Sequence, residues 1–240
     1  LTANKVLLAP YQQHFTRPLN KVCADLEHYA QLLRKWQPVQ NLVSRETMEE
    51  LWSRHFIDSL QILSLLNSDD LEFLDFGSGG GFPALPLAIA LKDDAHHFTL
   101  VEPNSRKVSF LRTVARELGL NVNSLLTRSD QMTPDMVPNA NVITSRALAS
   151  LPQLCTWIAP FFKPQTRAIL HKGREHVDEL EQTVPLWNFD VLLTRSDTDP
   201  SGVLLTLQNL RAKQLVSGER AGGRIGAPYS DPGKSKRRRR

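Results

Sequence analysis

A chain of 240 residues, 41% of them hydrophobic, can bury one substantial core plus a small extension, and its two cysteines give neither a disulfide framework nor a zinc motif. No apolar run approaches the roughly 20 residues that cross a bilayer and no signal-peptide pattern is present, so the expectation is a cytoplasmic protein with no membrane partner and no bound metal. The net charge of +4 divides into +8 from Arg211 onward, where ten Lys/Arg meet two acids, and so −4 over residues 1–210.

Along the chain, residues 16–66 read as helical. Leu26, Tyr29, Ala30, Leu33 and Trp36 recur at helix spacing, Pro38 breaks the pattern, and Thr47-x-x-Glu50 is a capping box ahead of Leu51, Trp52, Phe56 and Leu60. Residues 1–66 are therefore expected to form an N-terminal helical extension; the start at Leu1 instead of Met suggests a trimmed or replaced N-terminus. From 67 to 210, strands are expected at 71–76, 98–102, 122–127, 140–144 and 166–171, alternating with helices near 84–91, 105–118 and 151–160. A helix near 174–183 precedes two apolar runs, Val191-Leu192-Leu193 and Val203-Leu204-Leu205-Thr206-Leu207, which predict a hairpin closing the sheet edge. Cys23 and Cys155 fall in apolar helical surroundings. Residues 211–240 are rich in Gly, Ser, Pro and Arg and are expected to be a disordered basic tail, either simply solvated or adding salt-sensitive affinity for phosphate backbones.

The densest chemical signal is Glu72-Phe73-Leu74-Asp75-Phe76-Gly77-Ser78-Gly79-Gly80-Gly81-Phe82-Pro83, an apolar strand with an acid near its tip that runs into a glycine turn. Gly77, Gly79 and Gly81 let the backbone take positive φ and approach a ligand closely. Pro83 suits the first helical position, and a helix starting near Phe82 would point free N–H groups at the turn. In a dinucleotide fingerprint, G-x-G-x-x-G, the third glycine would stand where this chain has Phe82. S-adenosylmethionine has no phosphate to cradle; it carries an ammonium, for which Asp75 is the acid at hand, and an adenine, for which Phe82 offers an apolar face. Phe98-Thr99-Leu100-Val101 then reads as a second strand tipped by Glu102, which is suited to both ribose hydroxyls. A glycine-rich loop with solvated acids is the bland alternative, and strand, turn, helix, second strand and terminal acid together argue against it.

Ligands of open α/β sheets bind beyond the carboxyl ends of the strands. Strand three ends in Thr127-Arg128-Ser129-Asp130, where an acid can accept from the adenine amino group. Strand four ends in Thr144-Ser145-Arg146-Ala147 and strand five in His171-Lys172-Gly173-Arg174. A basic rim around an acid-lined pocket implies an anionic substrate.

These residues resemble the ribosomal RNA small-subunit methyltransferase G family, of the glucose-inhibited division protein B type. The likeness runs from about Trp36 to Leu207 and is carried by Asn41-Leu42-Val43-Ser44, Arg54-His55-Phe56-Ile57-Asp58-Ser59, Phe73-Leu74-Asp75-Phe76-Gly77-Ser78-Gly79, Arg106-Lys107-Val108-Ser109-Phe110-Leu111, Ser145-Arg146-Ala147 and Lys172-Gly173. The resemblance implies an α/β fold of the class I S-adenosylmethionine-dependent methyltransferase kind, Rossmann-like, with a mostly parallel seven-stranded sheet. It implies methylation of N7 of a guanine in 16S rRNA, with the small ribosomal subunit or an assembly intermediate as partner and a monomer as the expected state. Its cofactor positions fall on Gly77, Phe82, Glu102, Ser129, Asp130 and Arg146, and its RNA-facing basic positions on Arg128 and Lys172. The chain departs from the family with Pro83-Ala84-Leu85-Pro86, where a glycine often follows the proline, and with Glu102 in place of a common aspartate.

Guanine N7 chemistry also fits what the sequence lacks. Attack by a pyrimidine C5 needs a cysteine nucleophile, yet Cys155 falls within an expected helix without a preceding proline; the Asp/Asn-Pro-Pro-aromatic loop of amino-group methyltransferases is missing too. An N7 lone pair carries no proton at neutral pH and needs no general base. Arg146 is accordingly expected to position the guanine, through its O6, while Arg54, His55, Arg128 and Lys172 grip phosphates. His55 and Asp58, three apart on one helix, could instead make a purely structural pair. Two alternatives stay open: a class I methyltransferase for another RNA, a protein or a small molecule, and a non-catalytic ribosome-assembly factor with a relic cofactor fold.

Overall fold

The computed structural model describes residues 2–44 and 46–214; most of the basic tail, and with it the expectation of disorder there, lies outside the described residues. Ahead of the sheet come α1 (Ala3–Leu8), α2 (Leu19–Trp36) and, after a wide π-helical turn over Trp52–Ile57, the short α3 (Asp58–Leu60). Then follow β1 (Glu72–Phe76), α4 (Ala84–Ala90), β2 (His97–Glu102), α5 (Ser105–Leu118) and β3 (Val122–Leu126). The second half comprises β4 (Val142–Arg146), α6 (Leu151–Ile158), β5 (Arg167–Lys172), α7 (His176–Thr183), β6 (Trp187–Arg195) and β7 (Val203–Ala212).

The seven strands form one sheet in the order β3-β2-β1-β4-β5-β7-β6, parallel except for β7, which runs antiparallel to both β5 and β6. Central β1 is almost wholly buried, as a parallel strand covered on both faces must be. The chain leaves β1 toward β2 and β3, then returns to add β4 on the other side. The crevice between β1 and β4 is thus the switch point where open α/β sheets bind ligands.

One core face joins the helical extension to α4, α5 and the sheet: Val22, Leu26, Tyr29 and Leu33 of α2 pack with Leu85, Ile89, Phe110, Leu111 and Val114. The other gathers α6 and the hairpin, with Leu151, Leu154, Ile158, Leu205 and Leu207 around Leu74 and Phe76. Asn104 caps α5 by accepting from the N–H groups of Arg106 and Lys107, and Gly119 ends it in the left-handed region at φ 59°. Among the described residues no helix is long and apolar enough to cross a membrane.

Several expected boundaries move, each for a local reason. The Thr47-x-x-Glu50 capping box does not form; Thr47 donates from its hydroxyl to the Ser44 carbonyl, and its N–H bonds the Ser44 hydroxyl. Pro83 precedes α4 and is not its first residue, because residues 78–83 are spent on the turn, with Gly81 N–H bonding Ser78 O. Strand β4 starts at Val142, not 140, since the Asn141 side chain is committed to the N–H groups of Leu71 and Glu72. Both hairpin strands are longer than their apolar cores suggested, so the tail boundary drawn at 211 falls inside β7.

Candidate cofactor and substrate site

A cavity of about 670 Å³ opens at the carboxyl ends of β1, β2 and β4. Its floor is the glycine turn, one side is Glu102 with Pro103 and Lys107, and the other is Arg146, Ala147 and Leu148. The helical extension supplies the remaining wall through residues 42–44, Thr47, Arg54, His55 and Asp58.

Two glycines of the floor cannot be replaced without strain. At Gly77 φ is +70°, and an added Cβ would stand 2.5 Å from the Leu148 side chain. At Gly81 φ is +98°, and the same atom would meet the Tyr29 hydroxyl at 2.7 Å. Tyr29 in turn donates to the Gly80 carbonyl and stacks on Phe82, with ring centroids 5.5 Å apart. The turn is therefore clamped from α2, a contact with no motif of its own in the sequence.

Glu102 lies at the cavity edge, with Oε2 accepting from Gly79 N–H and Oε1 from Asn104 N–H, both at 2.9 Å. Each carboxylate oxygen keeps a lone pair for a further donor. Asp75 is placed differently from expectation: it is 1% exposed and lies beneath the cavity surface, not on it. The pairing of β1 with β4 sets Asp75 opposite Thr144, whose hydroxyl donates to Oδ1 at 2.6 Å, while Oδ2 has no partner among the described residues. Burial pushes this carboxyl up to about 7.

Arg146 is the hub of the site. Its Nη1 donates to the Arg54 carbonyl at 3.1 Å and to Asp58 Oδ2 at 3.0 Å, its Nη2 donates to His55 Nδ1 at 2.5 Å, and its guanidinium carbon sits 5.0 Å from the Phe82 ring centroid. Of five N–H groups, one on Nη2 and the one on Nε remain uncommitted to these partners. The next residue, Ala147, has φ 53°, a left-handed conformation that costs an alanine roughly 1–2 kcal/mol.

His55 and Asp58 do not pair with each other; both converge on Arg146. Because His55 accepts at Nδ1, its proton is on Nε2, which donates to the Thr47 hydroxyl at 2.8 Å. Burial and then the neighbouring Arg146 charge lower its pKa to about 3. His55, expected to grip phosphate, is 7% exposed and has both ring nitrogens committed within the protein.

Lys172 also differs. Its ammonium donates to Glu179 Oε2 at 2.7 Å and to the Ala149 carbonyl at 2.8 Å, so it is not a free surface cation. Arg128 is exposed, but its guanidinium is held by both oxygens of Asp130 at 2.9 and 3.0 Å. Neither Ser129, in a 3₁₀ turn over Ser129–Gln131, nor Asp130 lines the cavity. Arg54 is exposed on the cavity wall, 3.8 Å from Glu50. Phe82 lines the cavity yet is 4% exposed, its ring packed among Tyr29, His55 and Phe56.

Residues 42–44, which the sequence offered only as a mark of the family, overlie the turn. Gln37 holds them, its Oε1 accepting from Leu42 and Val43 N–H and its Nε2 donating to Val43 O. The sequence reading missed the β6–β7 loop, whose Thr198 hydroxyl donates to Asp58 Oδ1 at 2.7 Å and whose Asp199 lines the cavity.

The sequence profile of the family described as rRNA small subunit methyltransferase G matches residues 22–196. Among similar proteins, "Ribosomal RNA small subunit methyltransferase G" of Cereibacter sphaeroides is 39% identical over 187 residues, 77% of this chain and 89% of that protein. The protein of the same name from Bartonella henselae is 40% identical over 189 residues, covering 78% and 87%. Among solved structures, a SAM-dependent methyltransferase from Aquifex aeolicus superposes with a TM-score of 0.51 at 15% identity, over 66% of this chain and 93% of that one, a likeness of fold alone.

Proposed function

Because the chain belongs to the rRNA small subunit methyltransferase G family, we infer that it transfers a methyl group from S-adenosylmethionine to N7 of a guanine in 16S rRNA. With the family, one observation carries the reading: a guanidinium fixed by three acceptors stands at the wall of a cavity large enough for the cofactor, with N–H groups to spare.

The residues present fit S-adenosylmethionine. Glu102 has lone pairs for a ribose diol, the glycine turn admits close backbone approach, and the partnerless Asp75 Oδ2 suits an arriving cation beside the turn. When bound, the cofactor supplies a methyl group on a sulfonium, open to in-line displacement. Guanine N7 brings its own lone pair, so no residue need remove a proton. Neutral His55 is accordingly assigned to orienting Arg146, not to base catalysis. Arg146 directs its remaining N–H groups at the guanine O6 and holds N7 in line; orientation of this kind contributes roughly 7–11 kcal/mol to such reactions.

Phosphate contact falls to exposed Arg54 and, at the expense of its pair with Asp130, to Arg128. Ser129 and Asp130 stay assigned to the adenine end, reached across the rim. We assign residues 1–66 to the substrate wall, 67–210 to the methyltransferase body and the basic tail to neither. We propose that the protein works as a monomer, in the cytoplasm, on the small subunit or its precursor. Mass mapping of 16S rRNA from a strain lacking the gene tests the reading: one guanine should lack its methyl group, and an unchanged set of modified guanines would sink it.

A further inference from the structure

A second cavity, of about 260 Å³, adjoins the first through a common wall of Asp58, Arg146, Ala147 and Asp199. Its far side is formed by β5 and α7, with His171, Lys172 and Glu179 lining it, and Ala149 and Leu154 supply apolar surface. It has room for one planar base, and Arg146 faces both compartments.

Glu179 is the unusual member. Its Oε2 accepts from the Leu151 N–H at 2.5 Å and from Lys172 Nζ at 2.7 Å. Its Oε1 has no hydrogen bond to any described residue, although the side chain is only 19% exposed. An ionised carboxylate offers acceptors only. That oxygen is open to water and free to accept from a bound molecule, and guanine presents two adjacent donors, N1–H and the N2 amino group, on its Watson–Crick edge. Adenine presents an acceptor at N1 and is refused. Asp199 is a weaker candidate: it sits in the wall between the two cavities, and its Oδ1 is taken by the N–H and hydroxyl of Ser201.

We propose that the second cavity receives the target guanine, turned out of its stack, and that Glu179 Oε1 reads its N1–H and N2 amino group. The base then lies with O6 and N7 toward Arg146 and the first cavity and its Watson–Crick edge toward α7, the way base-modifying enzymes read a flipped nucleotide. Lys172, placed by the sequence among the phosphate-gripping cations, instead fixes the orientation of the Glu179 carboxylate through its bond to Oε2. The proposal rests on the guanine-N7 reading above and adds the source of its base specificity.

Small subunits reconstituted with 16S rRNA carrying inosine, which lacks the N2 amino group, at the target position provide the test. The wild-type protein should prefer guanosine to inosine by about tenfold to a hundredfold in kcat/KM, the worth of a hydrogen bond to a charged acceptor. Glu179→Gln keeps the shape but turns a donor toward the base. It should lose most activity on guanosine and bring the two substrates to equal rates, with S-adenosylmethionine affinity by calorimetry unchanged. Glu179→Asp should keep part of the preference. A Glu179→Gln protein that is slower yet retains the wild-type preference would reduce Glu179 to a tie between α6 and α7 and overturn the proposal. Should that variant not fold, the wild-type comparison decides, and equal rates on guanosine and inosine overturn it. Methylation of no guanine at all would instead defeat the underlying functional reading.

Discussion

Arg146 Nη2 donates to His55 Nδ1 at 2.5 Å, and this bond fixes the imidazole as an Nε2–H tautomer that holds Nη2 while Asp58 holds Nη1. Protonation of His55 would remove that acceptor and set two cations face to face. The folded pKa, lowered to about 3, lies below the unfolded value near 6.5, so the unfolded chain binds the extra proton. The contribution to stability is full above the unfolded pKa and is lost as pH falls from about 6.5 through 3. Denaturant unfolding of wild type against His55→Asn should show the wild type losing on the order of a few kcal/mol more across that window. Asp58, Arg146 and Arg54 face His55 and are common to both proteins. Parallel curves would contradict the assignment.

Removing Arg146 leaves Asp58, which is 15% exposed in side chain, with less compensation, and frees the His55 ring. Arg146→Lys restores a charge but not three acceptor contacts at once. Both variants should lower kcat by about a hundredfold or more at unchanged KM for S-adenosylmethionine, since the loss is one of orientation. A KM effect with normal kcat would make Arg146 a cofactor-binding residue only.

Asp75 carries the opposite pH signature. Its folded pKa, raised to about 7 by burial, means the folded apoprotein holds a proton between about 4 and 7, and stability from this group falls as pH rises through that window. An ammonium beside Oδ2 would favour the ionised form. Binding of S-adenosylmethionine should therefore release close to one proton below pH 7, measured by calorimetry in buffers of different ionisation enthalpy, and Asp75→Asn should abolish the release. Glu102, Arg146 and Tyr29 are the ionisable neighbours that remain in the variant.

Gly77→Ala forces an alanine into φ +70° and its Cβ against Leu148. The left-handed backbone costs roughly 1–2 kcal/mol, and the displaced Leu148 narrows the cavity. Thermal unfolding and cofactor calorimetry should both register the change; an unaltered protein would mean that the turn tolerates a side chain.

Arg54 and Lys172 should separate in salt titrations of rRNA binding. Arg54→Ala should weaken affinity and reduce the salt slope by about one unit, as loss of one phosphate contact does. Lys172→Ala should leave the slope unchanged and instead lower stability, because the half-buried Glu179 carboxylate loses its partner.

The glycine turn was the most legible feature in sequence, and the reason is local. Gly77, Gly79 and Gly81 take positive φ and Glu102 ends β2, features of backbone conformation and strand ends that short motifs encode, and the apolar runs placed each of the seven strands to within a few residues at its start. Charge was read less well. Lys172 and His55 look like free cations in a string of letters, but β5 packs the first against Glu179 on α7, and a π-helical turn swings the second under Arg146. Partners 7 and 91 positions away decide their roles. The clamp of Tyr29 on Gly80 and the Thr198 bond to Asp58 are of the same kind, long-range contacts without a spacing rule.

The most direct test is to incubate purified protein with small subunits and S-adenosylmethionine bearing an isotopically labelled methyl group, then locate the label by mass mapping and N7-specific strand cleavage. The expected result is label on N7 of a single guanine of 16S rRNA, reduced about a hundredfold or more in a folded Arg146→Ala protein. Label on another base or on protein, or an Arg146→Ala variant that works at the wild-type rate, would contradict it.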